Sequence, residues 1–469
     1  MQSSVTPSDS ARSSRIWLGT FALFLAVCAL GGGASRLDVA SQPVVQSAAI
    51  IVIGLIFALR QRAAIRTIRP FIYFGLCCGA IIAAQLFPLP FDWWAALPGH
   101  ALFANGVRLA ESTSAWRPLT LTPDLTVASL LSLLPPIAAV MAMASLDARG
   151  RVPGLVALSV IIFASAVMGL LQLATGSDSL FRLYEINSSD AAIGLFANRN
   201  HHAMLMAIGI PVIAVLTCQL IEWRIDRRIA IALGGLCILL LFASVLVAGS
   251  RGGVLLTGFA FPLAWALGRT GIGQSKRSAQ RVSGIRPGWY AAIALAGVIG
   301  IVLTLTRTAS IARLLGSDPL AEQRFTGLSD LTKMIRDFFP LGSGFGSFSS
   351  VYRAYEPLDG LSLTYLNQAH NDFLQLMIEG GIPALVALLV CLWWWLTRIR
   401  HHWFGSGLDA MPRRIERLGT VIIGMLLLGS ILDYPLRTPL LAVIFALAAA
   451  LSGTSSAKRK RERDDAALP

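Results

Sequence analysis

The stretch IAIALGGLCILLLFASVLVAGSRGGVLLTGFAFPLAWALG, residues 229–268, contains one charged side chain, that of Arg251. A helix needs about 20 mostly apolar residues to cross a bilayer. The stretch therefore predicts two membrane-spanning helices, residues 229–248 and 252–268, that are joined by a tight turn at Arg251.

Apolar runs of similar length recur along the whole chain. Hydrophobic residues make up 55% and charged residues 14% of the 469 residues, whereas soluble domains carry about 25% charge. This composition excludes a soluble multi-domain enzyme and a disordered protein. It predicts an all-α polytopic membrane protein. The about twelve predicted helices lie at residues 16–34, 44–59, 71–88, 125–146, 154–174, 202–221, 229–248, 252–268, 289–306, 382–397, 418–433 and 436–451.

The basic residues predict the orientation of these helices. Segments on the side of the N-terminus hold 26 of the 39 Lys and Arg residues, and short basic segments stay cytoplasmic. Both termini are therefore predicted to be cytoplasmic, with the basic tail close to anionic lipid. The net charge of +14 is explained by topology, so nucleic-acid binding is not indicated.

The span count predicts the organisation of the chain. It comprises a cytoplasmic N-terminus (1–15), helices one to nine (16–306), an outer loop (307–381), helices ten to twelve (382–451) and a basic tail (452–469). The outer loop is too long for a plain connector, and we expect it to carry the functional motifs.

Metal and disulfide chemistry have little support in the sequence. The six cysteines lie inside apolar runs, without the spacing of metal ligands. His201 and His202 have no accompanying ligand set, and we interpret them as hydrogen-bonding residues. His401 and His402 are interpreted as solvated residues of a cytoplasmic loop. No metal or other cofactor is predicted.

The segment AHNDFLQLMIEGGIP, residues 369–383, is the sharpest motif of the outer face. It predicts a short helix that is capped by Asn371 or Asp372 and ended by the glycine pair before Pro383. His370 lies at the start of this helix, where the helix dipole favours a neutral ring that can accept a proton. This indicates a general base; the alternative is a histidine that only hydrogen-bonds within its loop.

The turn Ala248-Gly249-Ser250-Arg251-Gly252-Gly253 is the second motif. An ionisable side chain at membrane depth is costly and usually functional. The guanidinium group of Arg251 matches a pair of phosphate oxygens, and the glycines allow a ligand to approach. The alternative is that Arg251 reaches lipid phosphates at the interface.

A third motif begins at Arg324 and ends in a glycine run at 342–346. Arg324 resembles Arg251 as an anion ligand, but other arginines lie nearby. The glycines follow no strand, so they do not form a dinucleotide fingerprint, and we interpret them as loop geometry.

Two further segments complete the candidate site. They are Phe196–His202, which enters a span from the outer side, and Leu432–Arg437, the turn between the last two spans. Their polar side chains suit substrate positioning.

Together these motifs resemble the superfamily of O-antigen ligases and Wzy-type polysaccharide polymerases. The resemblance covers the middle and C-terminal two-thirds of the chain. It implies a GT-C-like helical fold and a bacterial inner-membrane glycosyltransferase whose active site is periplasmic. Such enzymes transfer a glycan from undecaprenyl pyrophosphate to a sugar hydroxyl, with inversion and without a metal.

The resemblance also implies the roles of individual residues. His370, Arg251 and Arg324 match the family's catalytic histidine and arginines, of which the arginines hold the pyrophosphate. The expected substrate-binding residues are Asn198, Asn200, His201, Ser250, Asn371, Asp372, Glu379, Asp433 and Arg437.

The acceptor remains open at this point. A polymerase of exopolysaccharide or O-antigen repeats is favoured narrowly over a ligase that uses lipid A core as its acceptor. A flippase of lipid-linked glycans is the alternative from another class. The expected partners are the carrier-linked donor, the glycan or lipid A core acceptor, membrane lipids, and proteins of polysaccharide export and chain-length control.

Overall fold

The structure is a computed structural model of the chain. It describes residues 7–59, 61–146, 150–177, 179–188, 191–269, 327–357, 366–405 and 411–466. These residues are mostly helical. The helices in chain order are α1 (Pro7–Gly31), α2 (Gln42–Ala58), α3 (Arg62–Thr67), α4 (Arg69–Ala84), α5 (Phe91–Ala95), α6 (Ala101–Leu109), α7 (Pro123–Leu131), α8 (Leu134–Ser145), α9 (Arg151–Thr175), α10 (Arg199–Glu222), α11 (Arg227–Ala248), α12 (Arg251–Arg269), α13 (Leu328–Phe338), α14 (Phe348–Tyr352), α15 (Asp372–Phe404), α16 (Met411–Leu432) and α17 (Pro439–Ala466).

The chain is a multi-pass membrane protein by the length and composition of its helices. Within the described ranges, seven helical segments are long and apolar enough to cross a membrane, and three shorter apolar helices accompany them. The predicted span 289–306 and Arg324 lie outside the described residues. The count of twelve therefore stays a prediction.

Two helices are interrupted where the sequence places proline or glycine. The predicted span 125–146 is divided into α7 and α8, because Pro135 and Pro136 suit only the first turn of a helix. Helix α15 bends at Gly381, whose φ is +54°. A kink at this glycine agrees with the stop that the sequence predicts there.

A small layer outside the bundle joins two distant segments of the chain. Strands Pro88–Leu89 and Arg117–Pro118 pair antiparallel, and the N–H of Leu121 donates to the carbonyl of Ser343 at 3.0 Å. The Phe338 ring lies 6.2 Å from the His100 ring. The described part of the predicted loop 307–381 is thereby fixed on residues 88–121, beside the start of α15.

Residues 191–196 form a buried, non-helical segment between α9 and α10. Backbone groups that are shielded from water need a partner, and the fully buried Gln172 supplies one. Its Oε1 accepts from the N–H groups of Ile193 and Gly194 at 3.0 and 2.8 Å, and its Nε2 donates to the Gly194 carbonyl at 2.8 Å. This amide fixes the segment that leads into α10.

Candidate functional site

His370 stands at the start of α15, immediately before the N-cap. The cap is Asn371, whose Oδ1 accepts from the N–H groups of Phe373 and Leu374, each at 3.0 Å. His370 itself has a φ of +49°, a region that non-glycine residues adopt at some cost. The neighbouring cap therefore helps to hold His370 in a left-handed conformation.

The imidazole of His370 is paired with the carboxylate of Asp433. Nδ1 of His370 lies 3.0 Å from Oδ1 of Asp433, and the two side chains are 13% and 2% exposed. A carboxylate that accepts from Nδ1–H leaves Nε2 as the nitrogen that can take a proton. Within the described part of the chain, Nε2 has no hydrogen-bond partner. This arrangement can serve as a general base.

A second side chain fixes the carboxylate of Asp433. Nδ2 of Asn200 donates to Oδ2 of Asp433 at 2.7 Å, and the hydroxyl of Ser250 donates to Oδ1 of Asn200 at 2.8 Å. Oδ1 of Asn198 caps α10 by accepting from the N–H of Asn200 at 2.8 Å. Three separately predicted motifs thus meet in one hydrogen-bonded chain.

Arg251 begins α12 directly after Ser250. The hydroxyl of Ser250 accepts from the N–H of Gly253 at 3.0 Å and so caps this helix. The Arg251 side chain is exposed, and it projects from a turn that hydrogen bonds link to Asp433. Arg324, the second predicted arginine, lies outside the described residues.

Tyr434 is a component that the sequence reasoning quoted but did not single out. Its ring makes edge contacts with His370 and His201, with centroids 4.8 and 5.0 Å apart, and its hydroxyl accepts from Nδ2 of Asn198 at 3.3 Å. His201 is buried, with Nδ1 3.0 Å from the Thr438 hydroxyl. Because of these contacts, His201 lies behind the ring of Tyr434 and not in the open part of the candidate site.

Asp372, Glu379 and Arg437 form an ionic cluster beside the histidine pair. Nη2 of Arg437 donates to Oε2 of Glu379 at 2.9 Å, and its Nε lies 3.5 Å from Oδ1 of Asp372. Glu379 is fully buried, and its Oε1 also accepts from the N–H of Phe348 at 3.2 Å. The observed contacts of Glu379 tie the turn at Arg437 to α15, and a substrate-binding role for it stays a prediction.

The glycine run at 342–346 packs against the bend of α15. The N–H groups of Ser343 and Gly344 donate to the carbonyls of Ile378 and Glu379 at 2.8 and 3.0 Å. A side chain at Gly342 would collide with the Glu379 backbone, since its Cβ would lie 2.4 Å from that carbonyl oxygen. These contacts agree with the interpretation of the run as loop geometry.

A cavity of about 410 Å³, lined by both polar and apolar side chains, opens next to Asp372 and Arg437. An apolar groove of about 330 Å³ lies between α4, α8, α15 and α17, and Leu133 lines both spaces. Helix α15 therefore borders a cavity near its start, at Asp372, and an apolar groove further along, at Val390–Trp394.

The two adjacent histidines of α10 have different partners. Nδ1 of His202 lies 3.0 Å from the Ser165 hydroxyl, whereas His201 contacts Thr438 and Tyr434. Across the described ranges, no group of three or more His, Cys, Asp or Glu side chains could hold a metal ion.

Residues 192–389 match the family model of the O-antigen ligases. This part of the chain is similar to the O-antigen ligases. The match confirms the resemblance drawn from the sequence motifs. The matched stretch contains Asn200, Ser250, Arg251, Arg324 and His370, whereas Asp433 follows it. A search of curated proteins gave no match.

Proposed function

We propose that this protein is a glycosyltransferase of the bacterial inner membrane that transfers a glycan from undecaprenyl pyrophosphate to a sugar hydroxyl. The observation that carries the proposal is the pair of His370 and Asp433, 3.0 Å apart, in which Nε2 of the ring has no partner among the described residues. The match of residues 192–389 to the O-antigen ligases supports a ligase or polymerase type of activity.

In the proposed reaction, Nε2 of His370 accepts the proton of the acceptor hydroxyl. The oxygen attacks the anomeric carbon of the donor sugar, and the bond from that carbon to the carrier pyrophosphate breaks. Attack from the face opposite the leaving group inverts the configuration. Asp433 holds the Nδ1–H tautomer and stabilises the imidazolium that forms.

Arg251 is proposed to stabilise the leaving pyrophosphate. Negative charge grows on this group as the glycosidic bond breaks, so a guanidinium beside it favours the transition state over the ground state. The exposed position of Arg251 leaves room for such a ligand. Arg324 receives the same role from the family resemblance. No step of this scheme requires a metal.

The proposal includes a GT-C-like topology of twelve helices with both termini in the cytoplasm. The stretch 307–381 would be the periplasmic loop, 16–306 and 382–451 the membrane parts, and 1–15 and 452–469 the cytoplasmic ends. The distribution of basic residues supports this orientation.

We favour a polymerase of exopolysaccharide or O-antigen repeats. The second candidate is a ligase with lipid A core as acceptor, which the description of the matched family favours. Both reactions use the same donor and the same base, so they differ in the acceptor alone.

Complementation of a deletion strain tests the proposal. Wild type, Arg251→Ala and Arg251→Lys would be compared at equal membrane abundance, with surface and secreted glycans resolved by size. We expect a loss of about 100-fold for Arg251→Ala, as for one charge-stabilising donor. Arg251→Lys should recover part of the activity, because a charge remains but the planar fork is lost.

The glycans that accumulate in the deletion strain separate the two candidates. Single repeats on the lipid acceptor identify a polymerase, and a bare acceptor with long carrier-linked chains identifies a ligase. Full restoration by Arg251→Ala would contradict the proposed role of Arg251. Glycans of wild-type length in the deletion strain itself would contradict the proposed function.

A further inference from the structure

The cavity beside α15 has a mixed polar and apolar lining that suits carbohydrate. Hydroxyl and amide side chains come from five parts of the chain, and three phenylalanine rings lie among them. The hydroxyl and amide members are Ser35, Gln42, Ser129, Ser132, Ser349, Asn367, Gln368, Gln375 and Ser430, and the aromatic members are Phe345, Phe348 and Phe373. Aromatic faces carry negative charge that attracts C–H groups, so this lining matches both the hydroxyls and the C–H faces of a sugar ring.

Several of these polar groups are available to a ligand. The side chains of Ser35, Ser349 and Asn367 make no hydrogen bond to any residue that the structure describes. The volume of about 410 Å³ falls within the roughly 300–1,000 Å³ of small-molecule pockets. The cavity can therefore take a short oligosaccharide with direct hydrogen bonds.

The charges of the lining disfavour an anionic ligand. Among the residues that the structure describes, three carboxylates and two guanidinium groups line the cavity. Arg36 pairs with Asp38, where Nε and Oδ1 are 2.9 Å apart, and Arg437 pairs with Asp372 and Glu379. The Arg36 side chain also lowers the pKa of Asp38, which keeps that carboxylate ionised. Because both cations already face carboxylates, a phosphate or uronate would meet net negative charge.

We infer that this cavity binds the sugar end of the acceptor and selects neutral or amino sugars against acidic ones. The inference rests on the proposed function and adds the class of acceptor to it. Asp372 lies two residues after His370 and lines the cavity, so a sugar held there can bring a hydroxyl to the histidine pair. The donor pyrophosphate would approach from the side of Arg251.

The apolar end of the cavity allows the acceptor to stay attached to a lipid. Leu133 lines the cavity and also the apolar groove, whose wall includes Phe71, Phe74 and Trp394. A glycolipid whose head occupies the cavity can therefore place its chain in the groove. This geometry predicts binding of an alkyl glycoside in preference to the free sugar.

Photo-crosslinking with two defined probes tests the inference. The full-length protein in nanodiscs is labelled with a diazirine-bearing alkyl maltoside, or with the corresponding alkyl glucuronide, and the modified peptides are mapped by mass spectrometry. We expect the maltoside to label cavity residues at least about ten-fold more than the glucuronide, which corresponds to 1.4 kcal/mol.

Substitutions that fill the cavity provide the control within the chain. Ser132→Trp and Ser349→Trp fill it from two different elements, whereas Leu131→Trp changes a residue that is 40% exposed. We expect both filled variants to lose the maltoside label and Leu131→Trp to keep it. Ser129→Arg should raise glucuronide labelling, because it adds an unpaired cation to the lining.

The outcomes separate this inference from the proposed function. Equal labelling by both probes, or labelling that survives both filled variants, would overturn the inference even if the wild type forms glycan. Specific labelling in a wild type that transfers no glycan would refute the proposed function and leave the sugar site standing. Glycan formation at the wild-type rate by both filled variants would also overturn the inference.

Discussion

Helix α15 has a histidine–carboxylate pair at each end. At its start, Nδ1 of His370 lies 3.0 Å from Asp433, and at its end, Nδ1 of His402 lies 3.1 Å from Glu416. The two pairs have the same chemical groups at the same separation. They differ in what surrounds the second ring nitrogen.

The pair at the end of α15 is closed. Nε2 of His402 lies 2.9 Å from the Ser452 carbonyl, and the side chain is 1% exposed. Nε of Arg413 and of Arg417 donates to the His402 carbonyl at 3.0 and 2.9 Å, which satisfies a backbone group that the helix end leaves free. Both ring nitrogens of His402 face hydrogen-bond acceptors, so we interpret this pair as structural.

The pair at the start of α15 is open on one side. His370 keeps Nε2 without a partner among the described residues, and its carboxylate is held by Asn200. A histidine–carboxylate distance therefore does not identify a catalytic pair by itself. The availability of the second nitrogen is the feature that distinguishes the two.

The largest expected effect comes from removing the open base. His370→Gln keeps a polar side chain but loses the proton acceptor, so we expect transfer to fall about 10²–10⁴-fold. The measurement is release of undecaprenyl pyrophosphate by purified protein in nanodiscs. His402→Gln is the matched variant, and its rate per folded molecule should stay within about two-fold of wild type, since general-base catalysis does not use it. Equal losses in the two variants would remove the distinction between the pairs.

Breaking the closed pair of His402 and Glu416 is expected to lower the free energy of unfolding rather than the rate of transfer. Glu416→Ala leaves the His402 ring buried without its carboxylate, and breaking a buried pair costs about 3–5 kcal/mol of unfolding free energy. Denaturation in detergent measures this change. Glu222→Ala is the control, because Glu222 is 43% exposed and pairs with Arg414 at 3.2 Å, and exposed pairs contribute about 1 kcal/mol or less. A small effect of Glu416→Ala would mean that the closed pair is not structural.

The sequence predicted the helices better than their ends. Long apolar runs have few alternatives in a membrane, so α10 and α11 lie close to the predicted spans 202–221 and 229–248. The interpretation of His402 as a solvated loop residue was wrong. Helix α15 continues to Phe404, because Glu416 and Ser452 satisfy the histidine. Those partners are distant in the chain, and local sequence does not reveal them.

The candidate site was predicted as separate residues rather than as a network. His370, Asn200 and Asp433 were each selected from their motifs, but the pairing of His370 with Asp433 spans 63 residues. The packing of α15 and of α10 against α16 brings them together. Glu379 was also selected from its motif. Its observed contacts are with Arg437, Gln375 and the backbone of Phe348, and substrate binding by Glu379 stays a prediction.

Loss of the carboxylate should be the next largest effect at the open pair. Asp433→Asn keeps the shape but removes the charge that fixes the tautomer of His370 and stabilises imidazolium, so we expect a roughly 100-fold loss of rate. The assay is again carrier release. Asp433→Glu keeps the charge with a longer side chain and should retain more activity than Asp433→Asn. A rate close to wild type in Asp433→Asn would mean that His370 works without this carboxylate.

The smallest losses of rate are expected for residues that lie further from the His370 ring along the hydrogen-bonded chain. Asn200→Ala removes the 2.7 Å bond to Asp433, and we expect about a ten-fold loss, the size seen for lost outer partners of a functional side chain. Ser250→Ala removes the 2.8 Å bond to Asn200 and the 3.0 Å bond from the N–H of Gly253 that caps α12. Its bond to Asn200 is one step further from Asp433, so we expect a smaller loss than for Asn200→Ala. Asn200→Asp should be worse than Asn200→Ala, because it sets a second carboxylate against Asp433 and favours a proton shared between them. Carrier release at several pH values measures the series. A larger loss of rate for Ser250→Ala than for Asn200→Ala would contradict a role of Ser250 through Asp433. It would mean that Ser250 acts by positioning Arg251, because the cap that Ser250 forms on α12 does not involve Asn200.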